Sequence, residues 1–191
     1  MAGLYETEEE RDEILTGFLS EGIKAGDMQL YCPVEQTEDE LKEKLVKVCP
    51  SCKSKIDGHE HISFSSAKDL YYPNGTFSPI AMDESLERFF EHSQKNGKIN
   101  IRATAEMAWA LEAIPGVEHL MAYEARLNYF ILGKPWISIC LYNTRKFSGS
   151  VIMNVLKTHP YTISGGVLMQ NPYFEDPEKW LAKNAPPFLK K

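Results

Sequence analysis

Apolar positions along this chain recur at two periods, and the places where one gives way to the other mark out the elements. Ile14, Leu15, Phe18, Leu19 and Ile23 share one helical face behind a T-x-x-E capping box at Thr7 and Glu10, and Gly26 is placed to end that helix. Met28 to Cys32 (MQLYC) has strand length and stops at Pro33. A second capping box, Thr37 with Glu40, opens a helix carrying Leu41, Leu45 and Val48, which Pro50 interrupts. Residues 49–58 read as a loop or short turn, residues 61–66 (HISFSS) as the next strand, and residues 67–79 as a loop rich in aromatics and turn formers. Ser78-Pro79 then starts a helix bearing Ile80, Met82, Leu86, Phe89 and Phe90, closed by Asn96-Gly97.

The stretch KINIRATAEMAWALEAIPGVEHLMAYEARLN organises the rest. Ile99, Ile101 and Ala103 alternate with Asn100, Arg102 and Thr104, the period of a strand; from Ala105 the pattern turns helical, halts at Pro115-Gly116 and resumes as a second helix. Glu106 and Trp109 therefore stand where a strand hands over to a helix. In open α/β sheets ligands bind beyond the carboxyl ends of the strands, so a carboxylate and an indole there predict a pocket wall. Each also has a plain structural account: a carboxylate suits the positive end of a helix, and Trp109 suits a core. Residues 136–142 (WISICLY) are uninterruptedly apolar, as in a parallel strand buried on both faces. Residues 148–156 predict a short helix ended by His159-Pro160, and YTIS and VLMQ flank Gly165-Gly166 as a tight hairpin. The Pro- and aromatic-rich end predicts an extended strap. Together these give an α/β three-layer sandwich with a mainly parallel central sheet and a C-terminal β-hairpin. One domain spans 1–177 and a tail 178–191.

Composition narrows the function classes. The chain of 191 residues carries a net charge of −6, with acidic residues gathered in 6–13 and 35–43 and no Lys/Arg cluster. Nucleic acid and anionic membrane surfaces are thereby disfavoured as partners. No apolar run reaches the length of a bilayer span, and MAGLYETEEE lacks the basic and apolar regions of a signal peptide. A cytoplasmic setting follows, in which the four cysteines would stay reduced and a disulfide scaffold is not expected.

Catalytic motifs are missing. Gly133-Lys134-Pro135 and Gly97-Lys98-Ile99 lack the leading glycine and the Ser/Thr of a P-loop, and no G-x-S-x-G occurs. Cys49 and Cys52 with His59 and His61 supply four zinc-type ligands within thirteen residues, although C-x6-H-x-H is not a finger spacing. Cys-Pro-x-Cys equally resembles a glutaredoxin pair, which needs a helix starting at Ser51 to lower a thiol pKa, and ordinary reduced cysteines are the third alternative. Tyr71 and Tyr72 either cover a pocket or pin their loop to the body. Arg126, if buried, needs a carboxylate partner, for which Glu106 is a candidate; Glu124 faces another neighbour. Tyr142, Asn143 and Arg145 follow a strand's C-terminal end. Cys140 reads as core, His159 as a helix end, and His92 and His119 as surface.

Several segments occur in one order: YETEEE, GFLSEGIKAGDMQLYC, YYPNGTFSP, AEMAWAL, YEARLN, a cysteine-bearing strand followed by Tyr142, THP and NPYF. Over nearly the whole chain this set resembles the methanogen/methylotroph sensory domain, MEDS, typified by the dichloromethane-responsive regulator. The resemblance implies a fold related to RecA/KaiC-like ATPases, here without the P-loop, and sensing of small hydrocarbon derivatives such as a methylated amine or alcohol. Family members commonly join the sensor to a DNA-binding or kinase module. Output here is expected to pass through a separate regulator or kinase, or a homodimer. The expected protein is thus a non-enzymatic cytosolic sensor whose ligand is lined by Glu106, Trp109, Tyr71, Tyr72 and Tyr142, with Arg126 in support. The alternative is a metal-binding (zinc) or thiol-redox protein centred on CPSCKSKIDGHEH, a segment where the family has a plain connection.

Overall fold

A computed structural model describes residues 1–58, 62–95 and 99–189. Its seven strands are β1 (Ala2–Tyr5), β2 (Met28–Cys32), β3 (Ile62–Phe64), β4 (Ile101–Glu106), β5 (Trp136–Asn143), β6 (Tyr161–Ser164) and β7 (Val167–Gln170). They form one sheet in the order β3-β2-β4-β5-β1-β6-β7, parallel throughout except for the β6–β7 hairpin. Gly165 and Gly166, with φ of 53° and 72°, make the two-residue turn in which both central residues must be left-handed. β1 has no counterpart among the sequence expectations: four residues before an acidic helix carry too little pattern to be read alone.

Helices cover both faces. On one lie α1 (Glu8–Ala25), α2 (Glu38–Val48) and α3 (Lys53–Asp57), burying Leu15, Leu19, Leu41, Leu45 and Ile56 against Tyr5, Tyr31, Ile139 and Leu141. On the other lie α4 (Ala67–Tyr71), α5 (Pro79–Ser93), α6 (Leu120–Ile131) and α7 (Gly149–Thr158), packed on Ala105, Trp136, Cys140 and Tyr142. From Ile139 to Tyr142 successive β5 residues thus enter opposite cores, which explains the apolar run there, whereas Ile137 near the start of the strand is exposed. No helix among the described residues is long and apolar enough to cross a membrane.

Local signals account for most helix ends. Thr37 Oγ1 accepts from Glu40 N at 3.3 Å and Thr37 N donates to Glu40 Oε2 at 2.7 Å, the complete capping box. At α1 Thr7 Oγ1 accepts from Glu10 N, but the Glu10 carboxylate reaches Glu6 N instead, at 2.7 Å. Four expectations change. The strand β4 runs through Ala105 to Glu106, and Met107–Leu111 form a 3-10 segment where a helix was expected. Residues 49–58, expected as a loop or short turn, hold a 3-10 turn, Pro50–Cys52, and in addition the helix α3. Residues 67–71 of the expected loop form α4, capped by Ser66. The end of the chain is not an extended strap: α8 (Pro177–Asn184), capped by Asp176, buries Trp180 and Leu181 on Ala122 and Ala125 of α6.

Candidate functional site

At the carboxyl ends of β2 and β4, Glu106 is fully buried, and its carboxylate is saturated with donors. Val34 N donates to Oε2 at 2.9 Å and Glu35 N donates to the same oxygen; the Tyr31 hydroxyl and Gln36 Nε2 (3.2 Å) donate to Oε1. Arg11, only 1% exposed, brings Nε to 3.9 Å. The loop between β2 and α2 is thereby tied over the crevice in which an open sheet would take a ligand. Burial, and then the Glu106 charge, push the neighbouring Cys32 thiol up to about 12. The connection after β1 is Glu6-Thr7, followed by Glu8, Glu9 and Glu10 in the first turn of α1. Three carboxylates where a P-loop would offer glycines and a lysine repel phosphate.

Trp109, also fully buried, belongs to an aromatic layer on the opposite face of the sheet. Tyr71 stacks on it at 4.4 Å and 20°, Phe77 packs at 5.2 Å, and Tyr72 lies at 5.9 Å. The chain after α4 is held down by Phe77 N donating to Pro115 O at 2.8 Å. Gly116 makes that approach achievable: at φ 89°, a Cβ would meet the Phe77 carbonyl oxygen at 2.1 Å. Beneath this layer is a cavity of about 30 Å³ between the sheet and α4, α5 and α6, bordered by Tyr71, Met82, Ala105, Tyr123, Trp136 and Cys140 among others. Neither Glu106 nor Trp109 borders it. The hollow lies one layer inside the expected pocket wall, with Tyr71 the expected residue that reaches it. Trp136 Nε1 is buried with no acceptor.

A second polar group lies beside the hollow, built from α6, β5 and the end of α7. Glu124 is buried, with Oε1 accepting from the Tyr142 hydroxyl at 2.6 Å and Oε2 lying 3.4 Å from Cys140 Sγ and 3.2 Å from His159 Nε2. His159 Nδ1 donates to Val155 O at 2.8 Å. Burial raises the Glu124 carboxyl pKa, but His159, Tyr142 and Cys140 outweigh it and hold the group below the ordinary value. Burial, reinforced by Glu124, raises the Cys140 thiol and the Tyr142 phenol well above theirs. Of these residues only Tyr142 was a predicted site residue. Glu124 had a signal: it falls four residues after Leu120 and three before Leu127, on an otherwise apolar stripe. His159 offered none beyond its place before Pro160.

The remaining expected residues are dispersed. Arg126 pairs with Asp83 on α5, Nε at 2.9 Å from Oδ2, and donates to Phe188 O; Glu106, the expected partner, is engaged elsewhere. Cys49 and Cys52 are joined in a disulfide, contrary to the expectation of reduced cysteines, and both are buried. Cys49 precedes a three-residue 3-10 turn, Pro50–Cys52, where the redox reading needed a helix starting at Ser51. His59 and His61 lie outside the described residues.

Comparison with known proteins gives this arrangement a context. Residues 1–160 match the profile of MEDS, the methanogen/methylotroph, DcmR sensory domain. The transcriptional repressor DcmR of Methylorubrum extorquens is 28% identical over 145 residues, covering 75% of this chain and 51% of that protein. The chain thus spans about half the length of this relative. With the match extending from β1 through α7, the chain belongs to the MEDS family and is a sensor domain of the kind found in a transcriptional regulator.

Proposed function

We propose that this domain senses a small neutral organic molecule, a hydrocarbon derivative on the scale of methanol, and passes its occupancy to a separate regulator or kinase partner. The observation that carries this is the cavity of about 30 Å³ walled mainly by buried and half-buried apolar and aromatic groups, with Thr104 and Ser138 also on its lining. One water needs roughly 10–15 Å³ measured this way and a benzene-sized guest about 150 Å³, so the space suits one to three heavy atoms. Sulfur and aromatic rings on the wall favour a polarizable guest, and the unpartnered Trp136 Nε1–H favours one that accepts a hydrogen bond. A methylammonium ion fits less well, because the adjacent carboxylate, Glu124, already has contacts at both oxygens. Glu106 and Trp109 support the site rather than touch the guest.

At a ceiling of about 1.5 kcal/mol per heavy atom, three atoms give about 4.5 kcal/mol, close to millimolar affinity. Ligand at roughly a hundred times Kd then stabilises the fold by about 2.7 kcal/mol. Methanol, methylamine and a halomethane are compared by thermal shift on the native chain and on Ala105→Val and Ala103→Val, which fill the space. A neutral compound is expected to raise the native midpoint more than that of either filled variant that folds. Equal shifts in all three proteins, or none with any compound, would refute the proposal.

A further inference from the structure

The geometry points to a buried divalent-cation site of the zinc class at Glu124, Cys140 and His159, whose open coordination position faces the hollow. The three donor atoms, Glu124 Oε2, Cys140 Sγ and His159 Nε2, lie within 4.8 Å of one another on three buried residues. A tetrahedral zinc ion, with bonds of about 2.0–2.3 Å, sets its ligands roughly 3.3–3.6 Å apart. The oxygen–nitrogen and oxygen–sulfur separations are 3.2 and 3.4 Å. A small movement of His159 or Cys140 closes the third edge.

The surroundings orient each ligand through an atom that the metal would not use. His159 Nδ1 donates to Val155 O, which fixes the tautomer with a lone pair on Nε2. The Tyr142 hydroxyl holds Glu124 Oε1 and leaves Oε2 turned toward sulfur and imidazole. Strand β5 carries Cys140 rigidly into the same spot. His159 Nε2 is meanwhile buried without a hydrogen-bond partner: it lies near Oε2, but not in line with it. An imidazolium–carboxylate pair would satisfy that atom only with better alignment, and the Cys140 thiol competes for the same oxygen. One dication replaces these crowded contacts, and its charge is matched by a thiolate and a carboxylate. Three protein ligands leave a fourth position for an exchangeable molecule. Cys140 belongs both to this cluster and to the wall of the hollow, which Glu124 and His159 do not border, and the fourth position is placed on that Cys140 side. The cation site stands on its own geometry; only the meeting of its open position with a small molecule rests on the sensing role proposed above.

A buried site loads as the chain folds. The full chain is therefore expressed in minimal medium with cobalt(II) as the sole added transition metal of this class, and metal per chain and visible absorption are measured. One cobalt per chain with a thiolate-to-metal charge-transfer band is expected. Cys140→Ser should abolish the band, His159→Gln should lower occupancy at least tenfold, and the Cys49→Ser/Cys52→Ser protein should keep both. Circular dichroism establishes that the variants are folded; should Cys140→Ser fail that check, His159→Gln decides. Cobalt absent from the native chain, retained in both site variants, or lost with Cys49 and Cys52 would overturn the site. Methanol is then added to the loaded protein. A changed cobalt spectrum supports the open position facing the hollow, whereas an unchanged spectrum alongside a thermal shift overturns that placement alone. Loaded cobalt without any thermal shift in the native chain refutes the sensing role and leaves the cation site standing.

Discussion

Glu106→Gln separates two roles for the most buried carboxylate at the strand ends. The substitution keeps the shape of the side chain but replaces an acceptor oxygen with an NH2 group. If the amide oxygen stays on Val34 N and Glu35 N, the NH2 faces the Tyr31 hydroxyl, which can rotate to accept, and Gln36 Nε2, which cannot. If it turns over, two backbone N–H groups meet a donor. Either way Arg11, 1% exposed, loses its only carboxylate contact besides Asp12 among the described residues. Removing one partner of a buried charge network costs about 3–5 kcal/mol; the retained amide oxygen places this variant at about 3 kcal/mol. For a domain of this size that lowers the melting temperature by roughly 6–12 °C. Urea unfolding at neutral pH, with calorimetry, measures both quantities. A variant within about 1 kcal/mol of the native protein that nonetheless loses its ligand response would refute the structural role and return Glu106 to the binding site.

Two further outcomes test the frame that carries the site. Thr37 donates backbone and side-chain hydrogen bonds to Glu40 and holds its carboxyl below the ordinary glutamate pKa, so its contribution is complete above the unfolded pKa and fades as pH falls through the folded one. The urea-midpoint difference between the native protein and Glu40→Gln should therefore shrink on acidification, and a difference constant with pH contradicts the capping box. Gly116→Ala combines a left-handed φ of 89° with a Cβ 2.1 Å from the Phe77 carbonyl oxygen. It should cost at least about 2 kcal/mol and loosen the segment over Trp109, read as faster amide exchange at Phe77; native-like exchange there would remove the clamp.

How much of this protein was legible beforehand depended on how far each determinant lies along the chain. Met28–Cys32 was readable because a short, largely buried run of strand length ends at Pro33, and Thr37, Ser78 and Gly26 because caps and left-handed stops depend on neighbouring residues. The ordered motifs from YETEEE to THP were enough to place the chain among sensory domains, which the match over residues 1–160 bears out. β1 escaped, since Ala2–Tyr5 becomes a strand only by lying between β5 and β6. The tail escaped likewise, because Trp180 and Leu181 are buried by α6, more than fifty positions earlier in the chain.

By itself, then, the sequence determined the periods, the caps and the turn glycines, which are encoded within a few residues of where they act, and the family, which is carried by the order of many short segments along the chain. Which carboxylate would be a structural plug and which would sit beside a hollow was decided only by tertiary structure. Glu106 ends β4 and Glu124 lies within α6, both in largely apolar surroundings. Their roles diverge because Tyr31, Val34 and Glu35 close on the first, while Cys140, Tyr142 and His159 arrive at the second from elements 16 to 35 residues away. A side chain's chemistry is set by what folds against it, and no local period carries that information.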